Sequence, residues 1–207
     1  IEVPVAQIEV DFDIETSADD RVYLWGFLVT DTRTDAPPRY VEFSEFADST
    51  DAAELALAVE AMTWLRELIA ANADDTVRVF HYSDYEVVRL RRLAQSDPSG
   101  TLDWAAEFAL DSFCDLFEIM RAHFFGTHGL GLKHVAQHSC GFAWRDDDPG
   151  GLNSQRWFDD AVHADDPGTR AEARQRVLDY NEDDVRATAA LRAWLRALDV
   201  AASAQSS

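Results

Sequence analysis

Two stretches of the chain place carboxylates where a cation would relieve them. In IEVDFDIET (Ile8–Thr16), Ile8, Val10, Phe12 and Ile14 alternate with Glu9, Asp11, Asp13 and Glu15. Side chains of a strand point alternately to its two faces, so four carboxylates line one face, neighbours roughly 7 Å apart. Like charges at that spacing repel, and strands disfavour Asp. Either this face is simply wet and acidic, or a divalent cation lies against it. A second acid sits in GTRAEARQRVLDYNEDDVRATAALRAWLRAL (Gly168–Leu198), which reads as one long helix. Helical spacing puts Asp184 on the stripe of Val177, Leu191, Leu195 and Leu198. A carboxylate there needs a cation or strong donors. Tyr180, at i−4, shares its face, which would set a metal ligand beside a water-orienting hydroxyl. The plainer alternative packs Tyr180 in the core and pairs Asp184 with Arg186 or Arg174.

The elements that must position these groups follow from the pattern. VYLWGFLVTD (Val22–Asp31) and RYVEFSEF (Arg39–Phe46) read as second and third strands, joined by polar turns into an antiparallel meander. DAAELALAVEAMTWLRELIAA (Asp51–Ala71) is an amphipathic helix with Leu55, Val59, Met62, Leu65 and Ile69 on one stripe. TVRVFHYS (Thr76–Ser83) is a fourth strand returning parallel, with the helix DYEVVRLRRLA (Asp84–Ala94) launched from it. Asp103–Phe125 is apolar and mixed, with SFCDLFEIM a short strand running into a helix. GLGLKHVAQHSCGF (Gly129–Phe142) is a short helix ending at Gly141. RDDDPGGLNSQRWFDDAVHADDPG reads mostly as loop, and AASAQSS as a frayed tail. The order implies an α/β fold, a mixed sheet covered by helices, as one domain over 1–199 and a flexible tail over 200–207.

Composition sets limits. Apolar content of 47% and charged content of 28% are ordinary for a globular chain of 207 residues. No apolar run reaches membrane-spanning length, so no membrane partner is expected. Cys114 and Cys140 lie in apolar surroundings without metal-ligand spacing and read as reduced cysteines of a cytoplasmic protein. The six histidines follow no metal-binding pattern. An initial Ile with a strand close behind suggests a domain cut from a longer polypeptide. The formal charge is −21, and Lys133 is the only lysine beside 17 arginines. Such a surface opposes phosphate binding by bulk electrostatics. Either nucleic acid is not the substrate, or metal ions and neighbouring domains supply positive charge.

FDIET (Phe12–Thr16) and YNEDDV (Tyr180–Val185) resemble the first and third motifs of the DEDD exonucleases, tyrosine subtype, within the ribonuclease H-like superfamily. HYSDYEVVRL, CDLFEIM, GLGLKHVAQHSCGFAWRDDDPGG and YNEDDVRAT further resemble the ribonuclease H-like domain of bacterial RecB-like nuclease–helicase proteins. The resemblance implies a ribonuclease H-like fold with three antiparallel strands followed by parallel ones. It also implies a 3′–5′ exonuclease acting on single-stranded nucleic acid, preferentially DNA, in DNA repair, with helicase or nuclease domains in the same longer chain. The matched ligands would be Asp13, Glu15, Glu86 and Asp184, holding two Mg²⁺ or Mn²⁺ ions, with Tyr180 orienting the attacking water. Phosphodiester hydrolysis needs an activated water and a stabilised leaving oxyanion, which two ions about 3.5–4 Å apart supply.

One position departs from the family pattern: Glu86 stands where the second motif has Asp. Its alternatives are Asp84 as ligand, or a capping box with Ser83 at the N-cap and Glu86 reaching back. Asp115 reads as a structural acid at a strand end rather than a fifth ligand. Trp25, Trp144 and Trp157 either stack on bases or pack. Lys133 either contacts phosphate or is solvated. Two further readings stand beside the enzyme: a catalytically inactive ribonuclease H-like module that positions nucleic acid or neighbouring domains, and an acidic metal- or partner-binding domain.

Overall fold

The alternation in Ile8–Thr16 does produce a strand, β1, and it lies at the centre of the sheet. The computed structural model describes residues 1–126 and 129–205, and only the backbone from 199 on. His128 and much of the expected 200–207 tail therefore fall outside the described side chains. β2 (Val22–Asp31) pairs antiparallel with β1, and β3 (Arg39–Ser44) antiparallel with β2. After helix α1 (Asp51–Ala71), β4 (Val77–His81) adds parallel to β1, and the short β5 (Phe113–Asp115) parallel to β4. The order β3-β2-β1-β4-β5 is the expected mixed sheet. The remaining helices are α2 (Tyr85–Ala94), α3 (Thr101–Ser112), α4 (Leu116–His123), α5 (Leu132–Cys140), α6 (Gly151–His163) and α7 (Pro167–Gln205).

Two of these helices correct the sequence reading. α6 occupies the stretch read as mostly loop, burying Ser154, Trp157, Phe158 and Ala161. α3 was concealed within the mixed apolar segment; its buried face is Leu102, Ala105 and Ala109. α7 also runs past the expected end at Leu198, to Gln205. Thr50 caps α1, its hydroxyl accepting from the Ala53 amide at 3.1 Å. The buried face of α1 is turned from the expected stripe: Leu57, Ala58, Ala61, Met62 and Leu65 face the sheet, while Leu55, Val59 and Ile69 flank it.

Helices cover both faces of β1, so the wet acidic face does not exist. Ile8, Val10, Phe12 and Ile14 join the core under α1 and α3. The opposite face, with its acids, lies beneath α7, where Glu9 is 1% and Asp11 0% exposed. Bare carboxylates at such depth would be expensive. Arg192, on α7, answers with a fork, Nε to one Asp11 oxygen at 3.1 Å and a terminal nitrogen to the other at 2.7 Å. It also bonds Glu9, which Arg196 reaches at 2.8 Å. This buried cluster fixes α7 against β1 in one register. Arg192→Met strands Asp11 as an uncompensated buried charge, and unfolding free energy should fall by about 3–5 kcal/mol. Urea denaturation reads this; Asp11→Leu combined with Arg192→Met should cost less than the sum of the two single changes.

Candidate metal centre

Beyond the arginine cluster, the same face of β1 carries Asp13 and Glu15 toward the end of the strand, where the β1–β2 register shifts between Glu15 and Thr16. Asp184 descends from α7 onto them. One carboxylate oxygen from each of Asp13, Glu15 and Asp184 lies within 4.8 Å of the other two. The strand face and the helix stripe therefore do converge, as their spacing required. Burial raises the Asp13 pKa well above the usual range, and repulsion from Glu15, Asp184 and Glu86 adds to it. Burial, then Asp184, pushes Glu15 up to about 8.

A donor from a different segment holds each carboxylate. Ser154 of α6 donates to Glu15 at 2.6 Å, and since its proton is spent there, Tyr23 of β2 must donate to Ser154 at 2.9 Å. Asn181 donates to Asp13 at 2.8 Å. The Trp144 indole N–H donates to Asp184 at 2.6 Å. Trp144 is held there because Arg145 ties its loop to α7, its backbone and side-chain nitrogens reaching Asp183 at 2.8 and 2.9 Å.

Lys133 completes the Asp184 environment. Its Nζ lies 3.2 and 3.3 Å from the two Asp184 oxygens, 2.7 Å from the Tyr180 hydroxyl and 4.7 Å from the centre of the Tyr180 ring. Asp184 is thus paired neither with Arg186, which bonds Glu182, nor with Arg174, which lies over Phe46. Lys133 is half-buried over the site rather than solvated. Burial and the surrounding carboxylates raise the Tyr180 pKa far above a free phenol, so its hydroxyl stays protonated and able to donate.

Glu86 is 3% exposed and enters the site region from the first turn of α2. It stands outside the tight triad, yet its charge is felt at Asp13. One of its oxygens, Oε2, is buried without a hydrogen-bond partner, 3.6 Å from His81 Nδ1. Burial raises its pKa, against the contrary pull of His81. The capping-box alternative fails: the N-cap of α2 is Asp84, Ser83 has φ +88°, and Glu86 turns inward. Asp84 itself is exposed. Asp115 is structural, its carboxylate accepting from the Ser83 amide at 2.9 Å and the Phe117 amide at 2.8 Å, so it caps α4 and pins the turn before Glu86.

For the tryptophans the packing alternative holds. Trp25, Trp144 and Trp157 are all buried and offer no face for stacking on bases. Among the arginines, Arg145 and Arg176 line a small cavity with Tyr180, Asp146, Asp179 and Asp183. Many are committed to carboxylates, among them Arg89 with Asp20, Arg176 with Asp146 and Arg186 with Glu182. Sequence reasoning missed Asn181, Ser154 and the role of the Trp144 N–H. Asn181 was inside the quoted YNEDDV; nothing in the sequence pointed to Ser154, hidden in a supposed loop.

The donor set fits a divalent cation: three converging carboxylates of all-oxygen character, with an unpartnered carboxylate oxygen nearby. Asp13, Glu15 and Asp184 would hold it. Residues 10–196 match the family model RNase_H_2, described as RNase_H superfamily. The chain therefore belongs to the ribonuclease H superfamily. No curated protein and no solved structure matches it. Among the described residues no helix is long and apolar enough to cross a membrane.

The raised carboxylates predict a pH dependence. A group whose folded pKa exceeds its unfolded value favours the folded state when protonated, and that contribution is lost as pH rises between the two values. For Glu15 the window runs from 4.5 to about 8. In chelator-treated protein, melting temperature should fall across it; Glu15→Gln should flatten the fall, and Mn²⁺ should restore the wild-type value at pH 8.

Proposed function

We propose that this member of the ribonuclease H superfamily is a metal-dependent nuclease, a 3′–5′ exonuclease on single-stranded DNA. The observation that carries the reading is the convergence of Asp13, Glu15 and Asp184 within 4.8 Å from opposite ends of the chain. Polarity, DNA preference and membership of the tyrosine subtype are supported by the resemblance of FDIET and YNEDDV to the exonuclease motifs. The resemblance of HYSDYEVVRL, CDLFEIM, GLGLKHVAQHSCGFAWRDDDPGG and YNEDDVRAT to the RecB-like domain supports DNA repair beside a helicase in one longer chain, and the cysteines, read as reduced, support a cytoplasmic setting.

Mg²⁺ or Mn²⁺, two ions in this reading, supplies an activated water and neutralises the charge developing on phosphate and leaving oxygen. The chain's own part is to hold, orient and balance. Asp13, Glu15 and Asp184 would hold the cation, with Glu86 joining them from α2. The Tyr180 hydroxyl, kept protonated, orients the water. Lys133 offsets the charge of Asp184 and gives the only lysine ammonium near a bound phosphate. With Arg145 and Arg176 paired to acids beside the site, the cations and Lys133 would provide most of the local attraction for the strand.

A second reading has one observation in its favour. The Lys133–Asp184 contact competes with a cation for the same oxygens, which suits an inactive module that only positions nucleic acid or neighbouring domains.

Labelled single-stranded DNA and RNA with Mg²⁺ or Mn²⁺ separate the two. Asp184→Asn should lower cleavage on the order of 10³-fold, the several kcal/mol that a metal contributes. Its melting temperature in chelator should hold or rise, one repulsive charge being gone. Tyr180→Phe should lose less, on the order of tens-fold, since orienting water is only part of proton transfer. No cleavage by the wild type with either metal would favour the inactive module.

Glu86→Gln isolates the second-motif residue. As a ligand, Glu86 should lose cleavage and Mn²⁺ affinity on this change while melting temperature holds or rises. Full activity in the variant would remove it from the metal set.

A further inference from the structure

Asn181 is completely buried and both ends of its amide are used. Its Nδ2 donates to Asp13 Oδ2 at 2.8 Å, and its Oδ1 accepts from the Tyr40 hydroxyl at 2.8 Å. Asp13 is ionised when it holds a cation and then can only accept, so the amide nitrogen must face it and the amide oxygen must face a donor. Tyr40, on β3, is a dependable donor: burial and the carboxylates around it raise its pKa far above a free phenol. The result is a directed relay, Tyr40 to Asn181 to Asp13, running from the outer strand of the meander to the metal-facing acid.

A missing side chain makes room for it. Gly26 on β2 is the cross-strand partner of Asp13. A Cβ there would lie 1.7 Å from Asn181 Oδ1 and 2.8 Å from its Cγ. No L-residue other than glycine leaves the amide where it is. The φ of Gly26 is not in the left-handed region, so the close approach of α7, rather than backbone freedom, requires glycine here.

We infer that Asn181, seated on Gly26 and oriented by Tyr40, is a positioning residue that fixes the Asp13 carboxylate for a divalent cation. Its chemistry suits that task better than the lysine at Asp184 would. A neutral donor eases repulsion on Asp13 without bringing a competing cation, and it holds the carboxylate plane in one rotamer. Partners of this kind behind a ligand are worth about 10–100-fold in metal affinity.

The inference rests on the reading of Asp13 as a metal ligand, and the test separates the two. Mn²⁺ binding to the metal-free chain is measured by calorimetry for wild type, Asn181→Ala, Tyr40→Phe, Gly26→Ala and the double variant Gly26→Ala/Asn181→Ala. Melting temperature in chelator is recorded alongside. Asn181→Ala should weaken Mn²⁺ by about 10–100-fold, with Tyr40→Phe smaller in the same direction. Gly26→Ala should match Asn181→Ala, because it expels the amide. The double variant should bind no worse than Asn181→Ala alone, the two changes acting through one contact. Wild-type affinity in Asn181→Ala, or additive losses in the double variant, overturns the relay while leaving Asp13 as a ligand. Should Asn181→Ala fail to fold, unchanged affinity in Tyr40→Phe overturns it equally. A wild type that binds no Mn²⁺ overturns both the relay and the metal reading.

Discussion

Repulsion among acids buried under one helix is the constraint on which this fold depends. Glu9, Asp11, Asp13 and Glu15 project from one face of the central strand, and α7 lies across all of them. The fold divides the problem along the strand. At the start, Arg192 and Arg196 neutralise Glu9 and Asp11 with permanent charge. At the end, Asp184 arrives instead of a third arginine, adding a carboxylate to two already present. The two halves differ in kind: the first gives up ionic freedom to lock the helix, and the second gathers carboxylates that could hold an ion.

The second half is organised by the chain's own donors. Ser154, Asn181 and Trp144 are neutral donors from α6, α7 and a loop, and each reaches a different carboxylate. Hydrogen bonds from neutral groups orient an anion without cancelling it. Lys133 is the exception, and as an ammonium on a flexible stem it can swing away where an arginine fork would resist. That difference in side-chain stiffness separates the clamp residues from the site residues along α7 and its neighbours.

The strands and the two motif ends were legible because their signals are local. Strict period-2 alternation marks β1, and the apolar stripe of α7 marks the position of Asp184. What the stripe could not show is that neither face of β1 is wet, since burial of the acidic face depends on α7, far along the chain. α6 escaped because it opens Gly-Gly-Leu-Asn and its inward face begins with a serine. Ser154, Trp157, Phe158 and Ala161 do follow i, i+3, i+4, i+7 spacing, but a polar first member broke the apolar pattern. α3 escaped for a related reason: two of its three core residues are alanines. Glu86 was misjudged as a possible cap because Ser-x-x-Glu is a local rule, whereas the left-handed Ser83 is imposed by Asp115 from another strand.

The clamp joins Asp11 to Arg192 across 181 positions of sequence. Contacts of such separation form late and slowly, because a long loop must close before any of them is gained. During synthesis the sheet and its first helices can collapse while α7 is still within the ribosome, leaving Asp13 and Glu15 without Asp184, Tyr180 or Asn181. A form of the domain shortened before Tyr180 carries Asp13 and Glu15 without the third carboxylate of the cluster. Assembly of the three-carboxylate cluster therefore waits on the docking of α7, however much of the sheet has already formed.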